Sequence, residues 1–192
     1  MKNLVRTRIE SLRPLLKDPV PGVRIAAAGA IEKLEAVSTV EEILTVLETG
    51  NIGAKIGAIY ALGEIGGEEM IPPLIRCAQR PEADIRSTAA SVLGKLALPV
   101  ALPVLVELLE DQNAAVQGRA IAALRNFPVT SEVLNKLRQF LDACDGVLEA
   151  EAALTLAELK DISSLNQILL LLMSRHASTR QAAATALSLM PL

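Results

Sequence analysis

Ile85-Arg86-Ser87-Thr88-Ala89-Ala90-Ser91-Val92-Leu93-Gly94-Lys95-Leu96 decides how this chain of 192 residues folds, because near copies of it recur on both sides. The copies upstream span 23–34 and 54–65; those downstream span 116–127, 148–159 and 179–190. Aligned, they give a column of small residues: Ala27, Ala58, Ala89, Ala120, Ala152 and Ala183. Four residues on stand Ile31, Leu62, Leu93, Leu124, Leu156 and Leu187, and three further on Leu34, Ile65, Leu96, Phe127, Leu159 and Met190. The spacing is 31 residues, with one step of 32 between the fourth and fifth copies. Offsets of four and three put these columns on one face of an α-helix. A fixed alanine there lets a neighbouring helix come close, and the aliphatic column fills the space beyond it.

A second helical stripe precedes each copy, at i, i+3, i+6 and i+7: Ile9, Leu12, Leu15, Leu16 in the first unit and Ile71, Leu74, Cys77, Ala78 in the third. Each unit is therefore expected to be a pair of helices, A then B. Turn residues fall between them, among them Asp18-Pro19, Asp111-Gln112-Asn113 and Asp145-Gly146, which can accept from the free amides that open helix B. Ser131 and Ser163 are expected as N-caps of A helices, and Pro72 and Pro103 sit one period apart where an A helix begins. The repeats are expected at about 4–35, 38–66, 68–97, 99–128, 130–160 and 162–190. No pair of this size buries both faces of its helices alone, so the pairs must stack into one continuous domain over residues 1–192.

Composition agrees. Half the residues are apolar, yet there is no Trp, one Tyr and two Phe, so the core is aliphatic, as in helix packing rather than sheets. A net charge of -3 gives no general attraction for nucleic acid or an anionic membrane. A secretory signal is not expected from the opening residues, and the longest apolar run, 168–173, is far short of the roughly 18 residues that cross a bilayer. The expected location is cytoplasmic.

The motifs Val23-Arg24-x-Ala26-Ala27-x-x-Ile31 and Ile85-Arg86-x-x-Ala89-Ala90-x-x-Leu93-Gly94-x-Leu96, with the helix A run Ile71-Pro72-Pro73-Leu74-Ile75, resemble the HEAT-like repeats named after phycobilisome lyases. The resemblance covers nearly the whole chain. It implies an all-α fold, a right-handed α-solenoid (α/α superhelix) of about six helical-hairpin repeats. In such a fold B helices line one surface, and the Arg of helix B often meets an acid of a turn. The Arg column here reads Arg24, Lys55, Arg86, Gln117, Glu149, Arg180, so the fourth and fifth units depart from it. The resemblance also implies an alternative function, as a subunit of a phycobilin lyase or a chromophore-protein assembly factor.

Signatures of catalysis are missing from the sequence. It has one His, His176, in a turn, and no phosphate-binding glycine loop, Cys-x-x-Cys or Gly-x-Ser-x-Gly. Cys77 and Cys144 lie in different repeats without metal-ligand spacing. No cofactor, metal or catalytic residue is expected, and the favoured function is a non-catalytic scaffold that binds a protein or peptide on its concave B-helix surface, with no nucleic acid and no membrane as partner.

The residues expected on that surface are Ile25, Ile56, Tyr60, Glu64, Ser91, Lys95, Arg119 and Asn126, which lie between the scaffold columns and change type from unit to unit. They are small, mildly apolar and close to charge balance, which suits a peptide or helix better than a polyanion. Tyr60, the one Tyr, is the best single anchor, though it can equally serve only to cover neighbouring helices. At the other end Leu170 and Met173 stand where other repeats carry polar residues, and with Leu189 and Met190 they are expected to form an apolar end face for self-association, making a homodimer possible.

Overall fold

The computed structural model describes residues 2–191, with nothing said of the side chains of residues 2 and 3. Among the described residues every regular element is helical. The chain divides into two compact units, Met1–Ala58 and Ile59–Leu192.

In the first unit α1 (Lys2–Leu12) runs into a 3₁₀ turn, Arg13–Lys17, and α2 (Pro21–Thr49) follows. Pro21 opens α2, where the amide it lacks would have had no partner. The Asp18 carboxylate accepts from the Val20 amide at 2.8 Å, and Arg24 Nη1 donates to the carbonyls of Asp18 and Pro19 at 2.7 and 3.1 Å. α2 is 29 residues long and runs straight through the repeat junction expected between 35 and 38. The local chemistry explains it: Glu35-Ala36-Val37-Ser38-Thr39-Val40 contains no Gly, Pro or Asp, and Thr39 Oγ1 donates back to the Glu35 carbonyl at 3.0 Å, within the helix. Burial here is sparse. Ala27, Leu47 and Ala58 are buried, while Leu15 and Leu16 of the first stripe stay exposed.

The second unit begins within α3 (Ile52–Ile65), a B helix, and continues as four pairs. They are α4 (Ile71–Ala78) with α5 (Ala83–Leu96), α6 (Leu102–Glu107) with α7 (Ala114–Leu124), α8 (Ser131–Gln139) with α9 (Leu148–Glu158), and α10 (Leu165–Leu171) with α11 (Ala177–Leu189). The columns read from the sequence form its core: Ala89, Ala120, Ala152 and Ala183 are wholly buried, as are Leu62, Leu93, Leu124 and Leu156. Each such leucine contributes about 1.5–3 kcal/mol by leaving water. The A-helix stripe adds Leu74, Leu105, Leu137 and Ile168 from the opposite side.

Two glycines allow the backbones of B helices to touch. A Cβ at Gly94 would stand 2.5 Å from Cβ of Ala123 on α7, and one at Gly63 would stand 2.6 Å from a methyl of Val92 on α5. Pro72 and Pro103 do lie in the first turns of α4 and α6. The serine caps are a correction. Thr130, not Ser131, caps α8, its hydroxyl accepting from the Val133 amide, and Ser163 lies inside a 3₁₀ turn, Ile162–Ser164, that precedes α10. In each case a neighbour reaches the cap position first: Thr130 has the extended backbone that a cap needs, whereas the extra turn displaces Ser163.

Candidate functional site

Within the second unit the B helices α5, α7 and α9 enclose a groove of about 450 Å³. Its floor is made of Gly94, Ala122 and Ala123, small residues that follow from the close approach of α5 and α7. Asn126 fastens the floor, its side-chain amide donating to the Gly94 carbonyl at 3.0 Å across the two helices.

The charged residues of the rim mostly satisfy one another. Lys95 Nζ donates to Glu64 at 2.6 Å, and the Lys95 ammonium holds the Glu64 carboxyl below the ordinary carboxylate range. Arg125 reaches Glu151 and Glu158 at 3.2 Å each and also donates to the Thr155 hydroxyl. Thr155, wholly buried, donates in turn to the Ile121 carbonyl at 3.1 Å, tying α9 to α7. Arg119 is different. It lines the groove, is exposed, and has no hydrogen-bond or ion-pair partner among the described residues. Lys95 and Arg125 are engaged by acids of the chain, Arg125 by two of them, so the guanidinium of Arg119 is the groove's cation still open to a ligand.

Four of the eight residues expected on the B-helix surface thus meet around one groove: Ser91, Lys95, Arg119 and Asn126. Glu64 joins them through Lys95. Tyr60, on α3, is 54% exposed and outside the groove lining. Ile25 and Ile56 belong to the first unit, Ile25 exposed at 73% and Ile56 half-buried. Arg125 and Glu151 line the groove but are absent from the eight. A signal for Arg125 existed: it breaks the small column begun by Gly63 and Gly94.

Of the residues expected at the C-terminal end, Leu170 and Met173 are 74% and 87% exposed and line a second groove. Met190 does not join them, which corrects the expected patch. It ends a scaffold column and is buried, and Leu189 beside it is half-buried, with its carbonyl accepting from Lys160 Nζ. Among the described residues no group of three or more His, Cys, Asp and Glu side chains is placed to hold a metal ion, and no helix is long and apolar enough to cross a membrane.

Residues 40–125 match the family profile described as HEAT repeats. Over that stretch, just under half of its length, the chain resembles HEAT repeats. Among curated proteins it is similar to the phycocyanobilin lyase subunit alpha of Synechococcus elongatus, 33% identical over 86 residues, which make up 43% of this chain and 32% of that one. The chain spans about a third of the length of the curated relatives it matches. Among solved structures it resembles a chain of the complex of CpcE and CpcF of phycocyanin lyase from Nostoc sp. PCC7120, with a TM-score of 0.64 and 20% identity over 79% of this chain and 99% of that one. It also resembles a designed armadillo repeat protein in complex with the peptide (KR)4, with a TM-score of 0.55 and 18% identity over 97% and 99% of the two chains. At such identities these likenesses show the fold, an all-α solenoid of HEAT-like repeats. Over part of its length the chain is thus similar to HEAT repeats and to phycocyanobilin lyase subunits.

Proposed function

We propose that the chain is a non-catalytic binding scaffold whose partner, a protein or peptide segment, lies in the groove between α5, α7 and α9 and meets Arg119 with a carboxylate. The observation that carries this is the unpartnered Arg119 beside a floor of Gly94, Ala122 and Ala123. Small residues leave room for a backbone, and a guanidinium that no acid of the described residues engages can pair with an acid in register with it. The designed armadillo repeat protein, solved with a peptide, illustrates that a repeat fold of this kind can present a peptide-binding surface.

Panning a phage library of 15-residue peptides against the chain tests the proposal. Enriched peptides should share an acidic residue and should lose at least tenfold in affinity against Arg119→Glu and against Ala122→Trp, which fills the floor. Peptides that bind both variants as well as the parent would place recognition elsewhere.

A second reading, a subunit of a phycobilin lyase or a chromophore-protein assembly factor, draws on the 33% identity to a phycocyanobilin lyase subunit. Titration with phycocyanobilin decides it: an induced circular-dichroism band in the visible supports this reading, and its absence at saturating pigment opposes it.

A further inference from the structure

The second groove, about 540 Å³ between the ends of the fifth and sixth repeats, differs in chemistry from the first. Its walls are mainly apolar, with Leu141, Leu171, Leu170 and Met173, and Glu149 lies at its base. Glu149 is only 2% exposed. It stands where other repeats carry Arg24, Arg86 and Arg180, so the charge at this step of the ladder is reversed.

The Glu149 carboxylate is half satisfied. Oε1 accepts from the Thr179 hydroxyl at 2.7 Å and from the Ser174 hydroxyl at 3.3 Å. Among the described residues Oε2 has no donor and is not sealed from the groove, and no cationic side chain pairs with this carboxylate. It remains a nearly buried carboxylate with one open oxygen and no counter-charge, a costly arrangement that a cation relieves. The rim adds Asp142 and one cation, Arg175, whose Nε is turned to His176 Nε2 at 3.0 Å and whose Nη2 donates to the Cys144 carbonyl. The formal balance of Asp142, Glu149 and Arg175 is negative.

We propose that this groove is a docking site for a basic, amphipathic peptide segment of a partner protein. One apolar side chain rests on Leu170 and Met173, and a lysine follows the apolar wall inward, its stem on Leu141 and Leu171 and its ammonium donating to Glu149 Oε2. The long alkyl stem of lysine suits an apolar passage that ends in a carboxylate. The site is separate from the B-helix groove, for which an acidic partner is proposed above.

The test uses fluorescence anisotropy with three fluorescein-labelled 14-residue peptides: a Leu/Lys amphipathic helix, its Leu/Glu counterpart and a Ser/Lys version without leucine. The Leu/Lys peptide is expected to bind at least tenfold more tightly than either other peptide. Glu149→Gln, which keeps an acceptor for Thr179 and Ser174, and Met173→Asp are each expected to weaken it at least tenfold, whereas Val100→Ala, at an exposed residue outside both grooves, leaves it unchanged. Met173→Asp alters an exposed residue, so it reads the site even if Glu149→Gln unfolds, which circular dichroism at 222 nm reveals. Equal binding by Glu149→Gln and the parent, or equal binding of the Ser/Lys peptide, overturns the proposal. So does a parent chain that self-associates in sedimentation, is dispersed by Met173→Asp and is not dispersed by the Leu/Lys peptide, since the occupant is then a second copy.

Discussion

Arg86 and Asp111 join consecutive repeats through a two-pronged ion pair, Nε to Oδ2 at 2.6 Å and Nη2 to Oδ1 at 2.9 Å. Nη1 of the same guanidinium donates to the Arg80 and Pro81 carbonyls at 2.8 and 2.7 Å, so one side chain closes the turn of its own repeat and clamps the turn of the next. Arg24 and Arg180 repeat only the first half: each caps two turn carbonyls through Nη1, without the acid.

Asp111→Ala is therefore expected to cost about 2 kcal/mol, because both side chains are largely out of water and the guanidinium loses its counter-charge. Urea denaturation followed at 222 nm measures it. Asp111→Asn should recover part of the loss by keeping one acceptor.

The same pair sets a pH dependence. The Arg86 hydrogen bonds hold the Asp111 carboxyl below its ordinary range. A carboxyl with a depressed folded-state value adds stability that is fully present above its unfolded value, about 3.9, and fades as the pH falls through the lower folded value. The gap in unfolding free energy between the parent and Asp111→Asn is expected to be constant from pH 7 to about 5 and to narrow below pH 4. A gap that stays the same at pH 3 would mean that the ion pair does not operate.

Two glycines on B helices should respond in opposite directions. Gly94→Ala drives a methyl group into Ala123 of α7, where backbone as well as side chain is in the way, and is expected to destabilise by about 1–3 kcal/mol. Gly57→Ala meets nothing within 4 Å on α3 and should stabilise by about 0.5–1 kcal/mol by removing helix-weakening freedom. Paired thermal melts test both.

Tyr60→Ala separates anchoring from packing. With half of its surface in water, Tyr60 adds little to the core, and its truncation is expected to shift the unfolding free energy by less than about 1 kcal/mol. A loss of 3 kcal/mol or more would assign it to packing.

Much of this architecture is legible in the sequence because burial repeats at a fixed period. Ala89, Leu93, Ala120 and Leu124 can be placed in the core from spacing alone, since any other position on the helix would break the column. The first junction is not legible in the same way: a period says where a repeat should end, but the chain turns only if local chemistry stops the helix, and 35–40 contains nothing that does. The B-helix groove is half legible. Variable columns point to Ser91, Lys95, Arg119 and Asn126, yet only coordinates reveal that Lys95 is neutralised by Glu64, that Arg125 is drawn to Glu151 and Glu158, and that Arg119 is left over. Pairing depends on rotamers and on neighbours 26 to 33 residues away, which a column does not encode. The Glu149 groove was hidden for the opposite reason: the sequence shows the reversed charge, but its burial and its one open oxygen come from the packing of Ser174 and Thr179 around it.

Site-specific photo-crosslinking tests the binding groove most directly. A benzophenone side chain placed at Ala122, on the floor between α5 and α7, is compared with one at Val100, exposed outside the groove, in cells that naturally express the chain. The Ala122 probe should yield one discrete protein adduct that Arg119→Glu abolishes, and the Val100 probe should not yield it. The same adduct from both positions, or one that persists in Arg119→Glu, would contradict a partner held in the groove by Arg119.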